Sequence, residues 1–286
     1  MPELPEVETI RRGLEPRLIG RTIDRAEVRA EKLFVGDPES LVGASVTRIG
    51  RYGKLLVFYF DNELALTVHL KMTGQLIWRG EGAETVAGGH PEKSYIDPLP
   101  HKHTWIILHF VDNSVMYFND LRKFGQMAVL RIEELSVHSF IKKLGPEPLS
   151  PEFTIEFLED LLARRPKQVM KSLLLDQERI AGLGNIYVDE SLFRAGIMPT
   201  RLAGSLKPSE IRILHDAIQV TIELALSNGG SSERDYLNAI GEKGTYIQIA
   251  NVYRRTGLIC KVCGESPILR MKIGGRSTHY CPVCQK

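Results

Sequence analysis

Cys260-Lys261-Val262-Cys263 and Cys281-Pro282-Val283-Cys284 contain all four cysteines of the 286-residue chain. Seventeen residues separate the two pairs, which is the spacing expected of a four-cysteine zinc site. Two residues between cysteines allow a tight turn to direct both thiolates at one metal ion, and two such turns complete a tetrahedral shell. The sequence therefore predicts one structural Zn²⁺ with all four cysteines as its ligands.

The segment between the cysteine pairs has the pattern of a β-hairpin. Ile268–Ile273 and Arg276–Tyr280 predict short strands, and Gly274-Gly275 between them is a hairpin turn signal. A module of about 25 residues is too small to fold without its metal. Disulfides are the alternative, but they are rare in the reducing cytosol. His279 is a further candidate ligand, although four thiolates already fill a tetrahedral site.

Composition predicts an ordinary globular protein of about two domains. Hydrophobic residues make up 43% of the chain and charged residues 25%. No run approaches the roughly 20 apolar residues of a membrane helix. Met1–Glu6 has acid and proline where a signal peptide needs basic and then apolar residues. We therefore expect a cytoplasmic protein without a membrane partner.

Positive charge is concentrated at the C-terminal end of the chain. The formal net charge is only +2, yet residues 251–286 contain seven Lys or Arg against one acid, Glu265, a net of +6. A basic module on a near-neutral body indicates an anionic partner, and nucleic acid is the first candidate. A soluble tail with no partner is the alternative.

The N-terminal half combines one helix with a long series of strands. Apolar residues recur at helical spacing from Val7 to Leu18, which predicts a helix over residues 6–18. From there to about residue 135, short apolar runs between polar turns predict an antiparallel β-sandwich. The predicted strands are Leu55–Phe60, Leu64–Leu70, His103–Phe110, Val115–Phe118 and Met127–Ile132. Arg79–Pro100, rich in Gly, Glu and Pro, predicts a long surface loop.

Gly145–Pro151 marks a domain boundary, because its glycine and prolines continue neither a helix nor a strand. Beyond it the hydrophobic period becomes that of helices. The predicted helices are Ile155–Arg164, Gln168–Asp176, Asn185–Ala195 and Ser209–Ser227. Ala181–Gly184 predicts a sharp reversal between the second and third helices, with Asn185 as N-cap. Ser227–Tyr246 is polar, contains four glycines and is predicted to be mobile.

The N-terminus carries a candidate nucleophile. A chain that begins Met-Pro normally loses its methionine, which leaves the secondary amine of Pro2 free. An α-amino group titrates near pH 8, so a useful fraction is neutral at pH 7 and can attack a sugar carbon to give an iminium ion. Glu3 and Glu6 are placed to stabilise that cation and to move protons. Proline and acids also favour any helix start, so a purely structural role is the alternative.

Six separated motifs occur in an order that resembles bacterial formamidopyrimidine-DNA glycosylases, which remove oxidised purines such as 8-oxoguanine. They are Pro2–Thr9, His69–Gly74, Asp120–Gly125, Leu144–Leu149, Gly182–Tyr187 and the cysteine hairpin. The resemblance covers essentially the whole chain. It implies a monomer of the bacterial cytoplasm that binds double-stranded DNA with oxidised bases and cleaves the strand by β,δ-elimination.

The resemblance also implies an α+β multidomain fold. A catalytic β-sandwich domain with a leading helix would occupy residues 1–144, followed by a linker over 145–151. A helical helix–two-turn–helix domain with a lesion-capping loop would span 152–250, and the β-hairpin zinc finger 251–286. DNA would cross between the first domain and the other two.

Four catalytic roles follow from the resemblance. Pro2 would attack C1′ of the damaged nucleotide and form a Schiff base, and Glu3 would protonate the opening deoxyribose ring. Lys54 would contact phosphate and donate a proton in β-elimination. Arg276 would bind phosphate and assist δ-elimination. Lys54 as a solvated strand end is the alternative when that residue is considered alone.

The resemblance also implies a set of DNA contacts. His101, Lys167, Lys171 and Asn185 would bind the DNA. Met72, Arg122 and Phe124 would fill the void left when the lesion leaves the stack. Two apolar wedges and an arginine that can hydrogen-bond the orphaned base suit that task. Taken alone, Met72 and Phe124 are better interpreted as core residues.

One motif departs from the family pattern, and two other functions are considered. Val252-Tyr253-Arg254-Arg255 has arginine where the family usually has glycine, and a positive φ there would cost Arg254 about 1 kcal/mol. Leu4 favours the purine-specific branch over the endonuclease VIII branch, which prefers oxidised pyrimidines. A non-catalytic zinc-finger DNA-binding protein that kept the scaffold is the third possibility.

Overall fold

The computed structural model describes residues 1–80, 85–89, 98–231 and 244–286. Contacts divide the chain into two compact units. The sandwich unit comprises Met1–Lys142 with Asn228–Thr245, and the helical unit comprises Lys143–Ser227 with Tyr246–Lys286. No helix among the described residues is long and apolar enough to span a membrane. The finer division into linker, helical domain and finger stays a prediction.

Helix α1, Leu4–Leu18, leads the sandwich unit. Its apolar face is completely covered, since Val7, Ile10 and Leu14 are all at most 1% exposed. The helix begins two residues earlier than predicted, because the backbone N–H of Glu3 donates to Glu6 Oε2 at 2.8 Å and closes the first turn. Pro5 is tolerated in the first turn, since its missing N–H would have no partner within the helix.

Two five-stranded sheets form the sandwich. The strands are β1 Ile23–Val28, β2 Phe34–Val35, β3 Val46–Tyr52, β4 Leu55–Phe60, β5 Leu64–His69, β6 Gly74–Arg79, β7 Thr85–Gly89, β8 Thr104–Phe110, β9 Val115–Asp120 and β10 Gln126–Arg131. Their orders are β1-β8-β9-β6-β7 and β2-β10-β5-β4-β3. All these pairs are antiparallel except β2 with β10. Phe58, Trp78 and Phe118 fill the core between the sheets. The predicted sandwich is confirmed.

The predicted loop over residues 79–100 is wrong at Thr85–Gly89, which form strand β7. Thr85–Gly89 pairs with β6 along its whole length. Its glycines are required by close packing: a Cβ on Gly88 would lie 2.1 Å from Ile10 Cγ1, and Gly89 adopts φ 125°. Glycine lowers strand propensity, so the pattern resembled a loop. Residues 81–84 and 90–97 of the predicted loop lie outside the described residues.

Two loops pass from one sheet to the other at the same end of the sandwich. Residues 70–73 join β5 to β6, and residues 121–125 join β9 to β10. Because β6 pairs with β9 and β5 pairs with β10, these crossing loops run side by side. The β3–β4 turn lies at the same end of the sandwich, since Leu55, the first residue of β4, pairs with His69, the last residue of β5. The candidate residues Lys54, Met72, Arg122 and Phe124 therefore belong to one end of the sandwich.

The helical unit contains α2 Ile155–Arg164, α3 Met170–Leu175, α4 Asn185–Arg194, α5 Pro208–Ser227 and the short α6 Tyr246–Ile249. The four predicted helices are confirmed, with ends shifted by at most two residues. Between α3 and α4 the reversal depends on Gly182, at φ 88°. The Gln177 side chain closes the turn by accepting from Gly182 N at 3.0 Å and donating to Leu183 O at 2.7 Å.

The cysteine module contains the predicted hairpin. Strands β11, Leu269–Ile273, and β12, Arg276–Tyr280, pair from Leu269 with Tyr280 to Ile273 with Arg276. Gly274 and Gly275 form the turn with φ 54° and φ 78°. Positive φ at both positions is the two-residue turn that matches strand twist.

Candidate functional site

The four cysteine sulfurs converge on one point. Cys260 Sγ lies 3.8 Å from Cys284 Sγ, and Cys263 Sγ lies 3.7 Å from Cys281 Sγ. All four sulfurs are within 4.8 Å of one another. Zn–S bonds of about 2.3 Å in a tetrahedron place sulfurs about 3.8 Å apart, whereas a disulfide requires about 2.05 Å. The geometry therefore fits one structural Zn²⁺ and no disulfide.

The surroundings of the sulfurs act differently on the metal-free thiols, since burial raises the pKa of Cys281 and raises that of Cys284 to about 12. Backbone N–H groups of Glu265 and Ser266 point at Cys263 and lower the pKa of its thiol to about 7. Cys260 and Cys281 are buried beside Ile268 and Phe193, a residue of α4. Two of the four sulfurs are thus buried next to α4, and those of Cys263 and Cys284 belong to partly exposed residues.

Two consecutive carboxylates of α4 hold the hairpin and the segment before it. Asp189 Oδ2 accepts from the backbone N–H of His279 at 2.9 Å and lies 3.0 Å from its Nδ1. The Glu190 carboxylate accepts the backbone N–H groups of Asn251, Val252 and Tyr253, each at 2.8 Å. Both acids are at most 1% exposed. Neither was predicted, because acids on a helix are usually solvated and only the packed hairpin reveals their partners.

Arg276 and Lys167 have exposed side chains, as phosphate contacts require. Arg276 opens β12 immediately after the glycine turn, so the hairpin tip presents its guanidinium to solvent. Lys167 lies in the connection between α2 and α3. These positions are compatible with the predicted roles and do not test them.

Lys171 differs from its prediction as a DNA contact. Its side chain has no exposed surface, and its ammonium donates to Asp189 Oδ1 at 2.6 Å and to Asn185 O at 3.1 Å. A buried lysine needs such an anionic partner, and this one is contributed by the following helix. In this structure the Lys171 ammonium joins α3 to the start of α4.

Asn185 is also placed differently from its prediction. Gly184 is the N-cap of α4, so Asn185 is the first helical residue. Its side-chain amide donates to Ser277 O of β12 at 2.8 Å. The residue thus joins the start of the helix to the hairpin that carries Arg276, and the helix N-terminus remains a favourable place for a phosphate.

The N-terminal candidates lie in a hydrogen-bonded corner of the sandwich unit. Pro2 is buried and Glu3 is 3% exposed. Glu6 Oε2 accepts from Glu3 N, while its Oε1 accepts from Ser231 N at 2.6 Å and Ser231 Oγ at 2.8 Å. Glu6 therefore connects the start of α1, next to the candidate nucleophile Pro2, to Ser231, the last described residue before 232–243. Those residues, which hold most of the predicted lesion-capping loop, lie outside the described part of the chain.

Glu8 is a structural residue of α1 that the sequence did not reveal. Its carboxylate meets Arg11 at 2.9 Å, Arg12 at 2.8 Å and Arg51 of β3 at 3.1 Å. Burial by itself would raise the pKa of Glu8, but the hydrogen bonds and charges of these arginines outweigh it and lower the pKa to about 2. The cluster fixes the helix that begins with the candidate nucleophile to the sheet.

Lys54 is 4% exposed and lies beside His69. Burial, together with the charges of Lys71 and Lys54, lowers the pKa of His69 to about 3. His69 is therefore neutral, and its Nδ1 accepts from Lys71 N at 3.0 Å. The burial of Lys54 excludes the solvated-strand alternative. His101 lies just before β8, where His103 O accepts from Asp120 N at 3.0 Å. It is half-buried, with Nδ1 accepting from His103 N at 3.1 Å.

Met72, Arg122 and Phe124 form one surface group, here called the wedge. Met72 is 41% exposed and Phe124 54% exposed, so neither is a core residue. The Arg122 guanidinium lies 3.2 Å from Met72 Sδ and 4.6 Å from the centre of the Phe124 ring. Apolar side chains grouped at one exposed place are compatible with a binding surface.

Models of known families match three parts of the chain. Residues 1–127 match the formamidopyrimidine-DNA glycosylase N-terminal domain. Residues 144–236 match the H2TH domain of the same enzymes, and residues 257–286 match a zinc finger found in FPG and IleRS. The order of a β-sandwich, a helix–two-turn–helix and a cysteine hairpin defines a class of DNA glycosylases.

Individual proteins agree along the whole length. The chain is 44% identical to the formamidopyrimidine-DNA glycosylase of Geobacillus kaustophilus (strain HTA426), with 100% of both covered. It superimposes on Lactococcus lactis Fpg bound to abasic-site DNA with a TM-score of 0.87 and 34% identity, over 99% of both chains. The complex of that enzyme with N7-benzyl-Fapy-dG DNA gives a TM-score of 0.87 at 35% identity, over 100% of both chains. The chain belongs to the formamidopyrimidine-DNA glycosylase family.

Proposed function

We propose that this protein is a bifunctional DNA glycosylase and abasic-site lyase of base excision repair. It removes oxidised purines, such as 8-oxoguanine and formamidopyrimidines, from double-stranded DNA. The proposal is supported by the family, whose named members are formamidopyrimidine-DNA glycosylases, and by similar structures that contain abasic or Fapy-dG DNA. The single observation that carries it for this chain is a proline at position 2 beside two buried carboxylates, Glu3 and Glu6.

The chemistry begins at the free amine of Pro2. Its nitrogen lone pair attacks C1′, the bond from C1′ to the damaged base breaks, and the base leaves with the electron pair. Glu3 supplies the proton that opens the deoxyribose ring, and loss of the amine proton gives an iminium ion. The positive iminium makes the C2′ proton acidic, so β-elimination expels the 3′-phosphate. A second elimination expels the 5′-phosphate.

Lys54 and Arg276 serve the elimination steps. A buried ammonium at Lys54 can neutralise a phosphate oxygen and donate a proton to it as the strand breaks. Arg276, exposed at the hairpin tip, binds a phosphate bidentately and assists the δ-step. The zinc ion is structural in this mechanism, because four thiolates leave it no open coordination position.

DNA binding uses the exposed cations and the wedge. We assign DNA contacts to Lys167, His101, Lys171 and the start of α4 at Asn185, and the buried Lys171 contributes through the Asn185 carbonyl that its ammonium binds. The lesion must leave the stack to reach the nucleophile, so Met72 and Phe124 fill the gap and Arg122 binds the orphaned base. We further propose the four-part organisation at residues 1–144, 145–151, 152–250 and 251–286. A monomeric enzyme acting on the DNA of the bacterial cytoplasm, with no membrane partner, completes the proposal.

Borohydride trapping on DNA with an abasic site tests the mechanism. Protein without Met1 is expected to form a covalent adduct, and Pro2→Gly with a blocked N-terminus is expected to form none. A chain that retains Met1 should be inactive, because its Pro2 nitrogen is an amide. An adduct that survives both changes would place the nucleophile elsewhere, and binding without any adduct would indicate a non-catalytic DNA-binding protein.

Substrate preference separates the two enzyme branches. Single-turnover cleavage of duplexes with 8-oxoguanine opposite cytosine should exceed cleavage of duplexes with thymine glycol. Clear preference for the pyrimidine lesion would assign the protein to the endonuclease VIII branch.

A further inference from the structure

The carboxylate of Asp120, the last residue of β9, is a buried hydrogen-bond centre at the crossing loops. It has no exposed surface and accepts four donors. Oδ1 accepts from Thr73 Oγ1 and from Arg122 N, the latter at 3.0 Å. Oδ2 accepts from Phe124 N at 2.8 Å and from Gly125 N at 2.6 Å. Each carboxylate oxygen thus has two donors.

These hydrogen bonds join two segments that are distant in sequence. Thr73 lies beside Met72 in the first crossing loop, and its hydroxyl also accepts from Arg122 N at 3.1 Å. The backbone of the second crossing loop is bound at Arg122 and Phe124. One carboxylate and one hydroxyl therefore fix the backbone at Arg122 and Phe124 and join it to Thr73, the neighbour of Met72.

The second crossing loop has a conformation that needs such support. Lys123 adopts φ 55°, in the left-handed region that side chains disfavour. Its ammonium lies 3.6 Å from the centre of the Trp105 ring, and Trp105 Nε1 donates to Asp120 O at 2.7 Å. Lys123 is thereby turned toward Trp105, while the residues on either side of it enter the wedge.

We infer that Asp120 is a positioning residue for base extrusion: it sets the wedge geometry before DNA binds. The inference rests on the proposed function, in which the wedge fills the place of the extruded lesion. A wedge that is already assembled avoids the entropic cost of ordering two loops during extrusion. Removing the carboxylate should slow the extrusion step and leave the amine chemistry at Pro2 intact.

Two substitutions change this centre without changing its size. Asp120→Asn replaces one acceptor oxygen by an NH₂ group, which then faces backbone N–H donors. Thr73→Val removes only the hydroxyl, and Thr73→Ser keeps it. Ser114→Ala is the matched control, because Ser114 immediately precedes the same strand with 0% exposure and its hydroxyl donates to Asp112 in the preceding turn, away from the crossing loops.

The experiment compares two substrates with methionine-free protein. The first is a duplex with 8-oxoguanine opposite cytosine and 2-aminopurine beside the lesion, which reports extrusion by stopped-flow fluorescence and excision by strand cleavage. The second is a single strand with an abasic site, where no stacked base leaves and no gap must be filled. Circular dichroism melting of each variant measures folding.

Asp120→Asn should slow the 2-aminopurine signal and duplex excision by about 10- to 100-fold, the range expected for misplaced positioning groups. Single-strand cleavage should change by less than about twofold. Thr73→Val should show the same selective loss to a smaller degree, and Thr73→Ser and Ser114→Ala should resemble the wild type. Equal losses on both substrates, or no loss on the duplex, would overturn the inference. If Asp120→Asn does not fold, the Thr73 pair decides. A wild-type protein that cleaves neither substrate would instead refute the proposed function.

Discussion

Glu8→Gln removes the charge that binds α1 to the sheet, and its effect can be calculated from the structure. The carboxylate is 11% exposed and contacts three arginines. Its pKa falls from 4.5 to about 2 on folding, which at 1.36 kcal/mol per pH unit corresponds to about 3 kcal/mol of stability at pH 7. Because the pKa is depressed, this contribution is complete well above pH 4.5. It is lost as the pH falls from 4.5 toward 2.

Tryptophan fluorescence isolates this effect from the zinc finger. The chain has two tryptophans, Trp78 and Trp105, and both belong to the sandwich unit. Urea unfolding followed at these side chains should show Glu8→Gln less stable than the wild type by about 2–3 kcal/mol at pH 7. At pH 3 the difference should shrink to about 1 kcal/mol. Acid also releases zinc, but the zinc site belongs to the helical unit, so its loss should not change the fluorescence of the sandwich unit.

Glu15→Gln is the matched control, since Glu15 also pairs with Arg11, at 2.7 Å, but is 34% exposed. An exposed pair of this kind contributes less than about 1 kcal/mol, and its loss should depend little on pH. A Glu8→Gln defect of equal size at pH 7 and pH 3 would refute the electrostatic explanation. It would indicate that packing of the side chain stabilises the helix.

Three further changes address the helical unit. Arg254→Gly should raise the stability of the helical unit by about 1 kcal/mol in thermal unfolding, because Arg254 adopts φ 59°. The same change should weaken DNA binding at low salt, because it removes a positive charge. Asp189→Asn should destabilise it by about 3 kcal/mol in urea, because Lys171 loses its buried anionic partner, while zinc content by atomic absorption stays at one ion. Removing zinc with a chelator should abolish DNA binding and unfold the hairpin, seen by circular dichroism, with unchanged tryptophan fluorescence. Retained binding by the zinc-free protein would contradict the proposed role of the hairpin.

Periodicity predicted most of the fold, and its failures have physical causes. The helices and most strands follow from the spacing of apolar residues, because each element buries one face. Strand β7 was missed since the close approach of α1 at Gly88 requires glycine, whose low strand propensity indicates a loop. Arg254 shows the converse, because the sequence predicted only the cost of a positive φ at a usual glycine, and the structure shows that Arg254 adopts φ 59°.

The candidate site was predicted where chemistry depends on local spacing. The cysteines are such a case, whereas the catalytic roles of Pro2 and Glu3 stay predictions. Lys171 shows the limit: its pairing with Asp189 joins α3 to α4, and no local pattern distinguishes a buried lysine from a phosphate ligand. Asp120 is the first residue of the motif Asp120–Gly125, but only the folded loops show that its carboxylate accepts from four donors.

The contacts of Asp189 have an evolutionary consequence. Its two oxygens serve Lys171 and His279, which lie 18 residues before and 90 residues after it. A relative that replaced the acid alone would leave a buried ammonium and a buried imidazole without their acceptor. Positions 171, 189 and 279 should therefore vary together among homologues, as one inherited unit shared by a helix pair and a metal-binding hairpin. Exchange of the hairpin between distant members should succeed only when position 189 is exchanged with it.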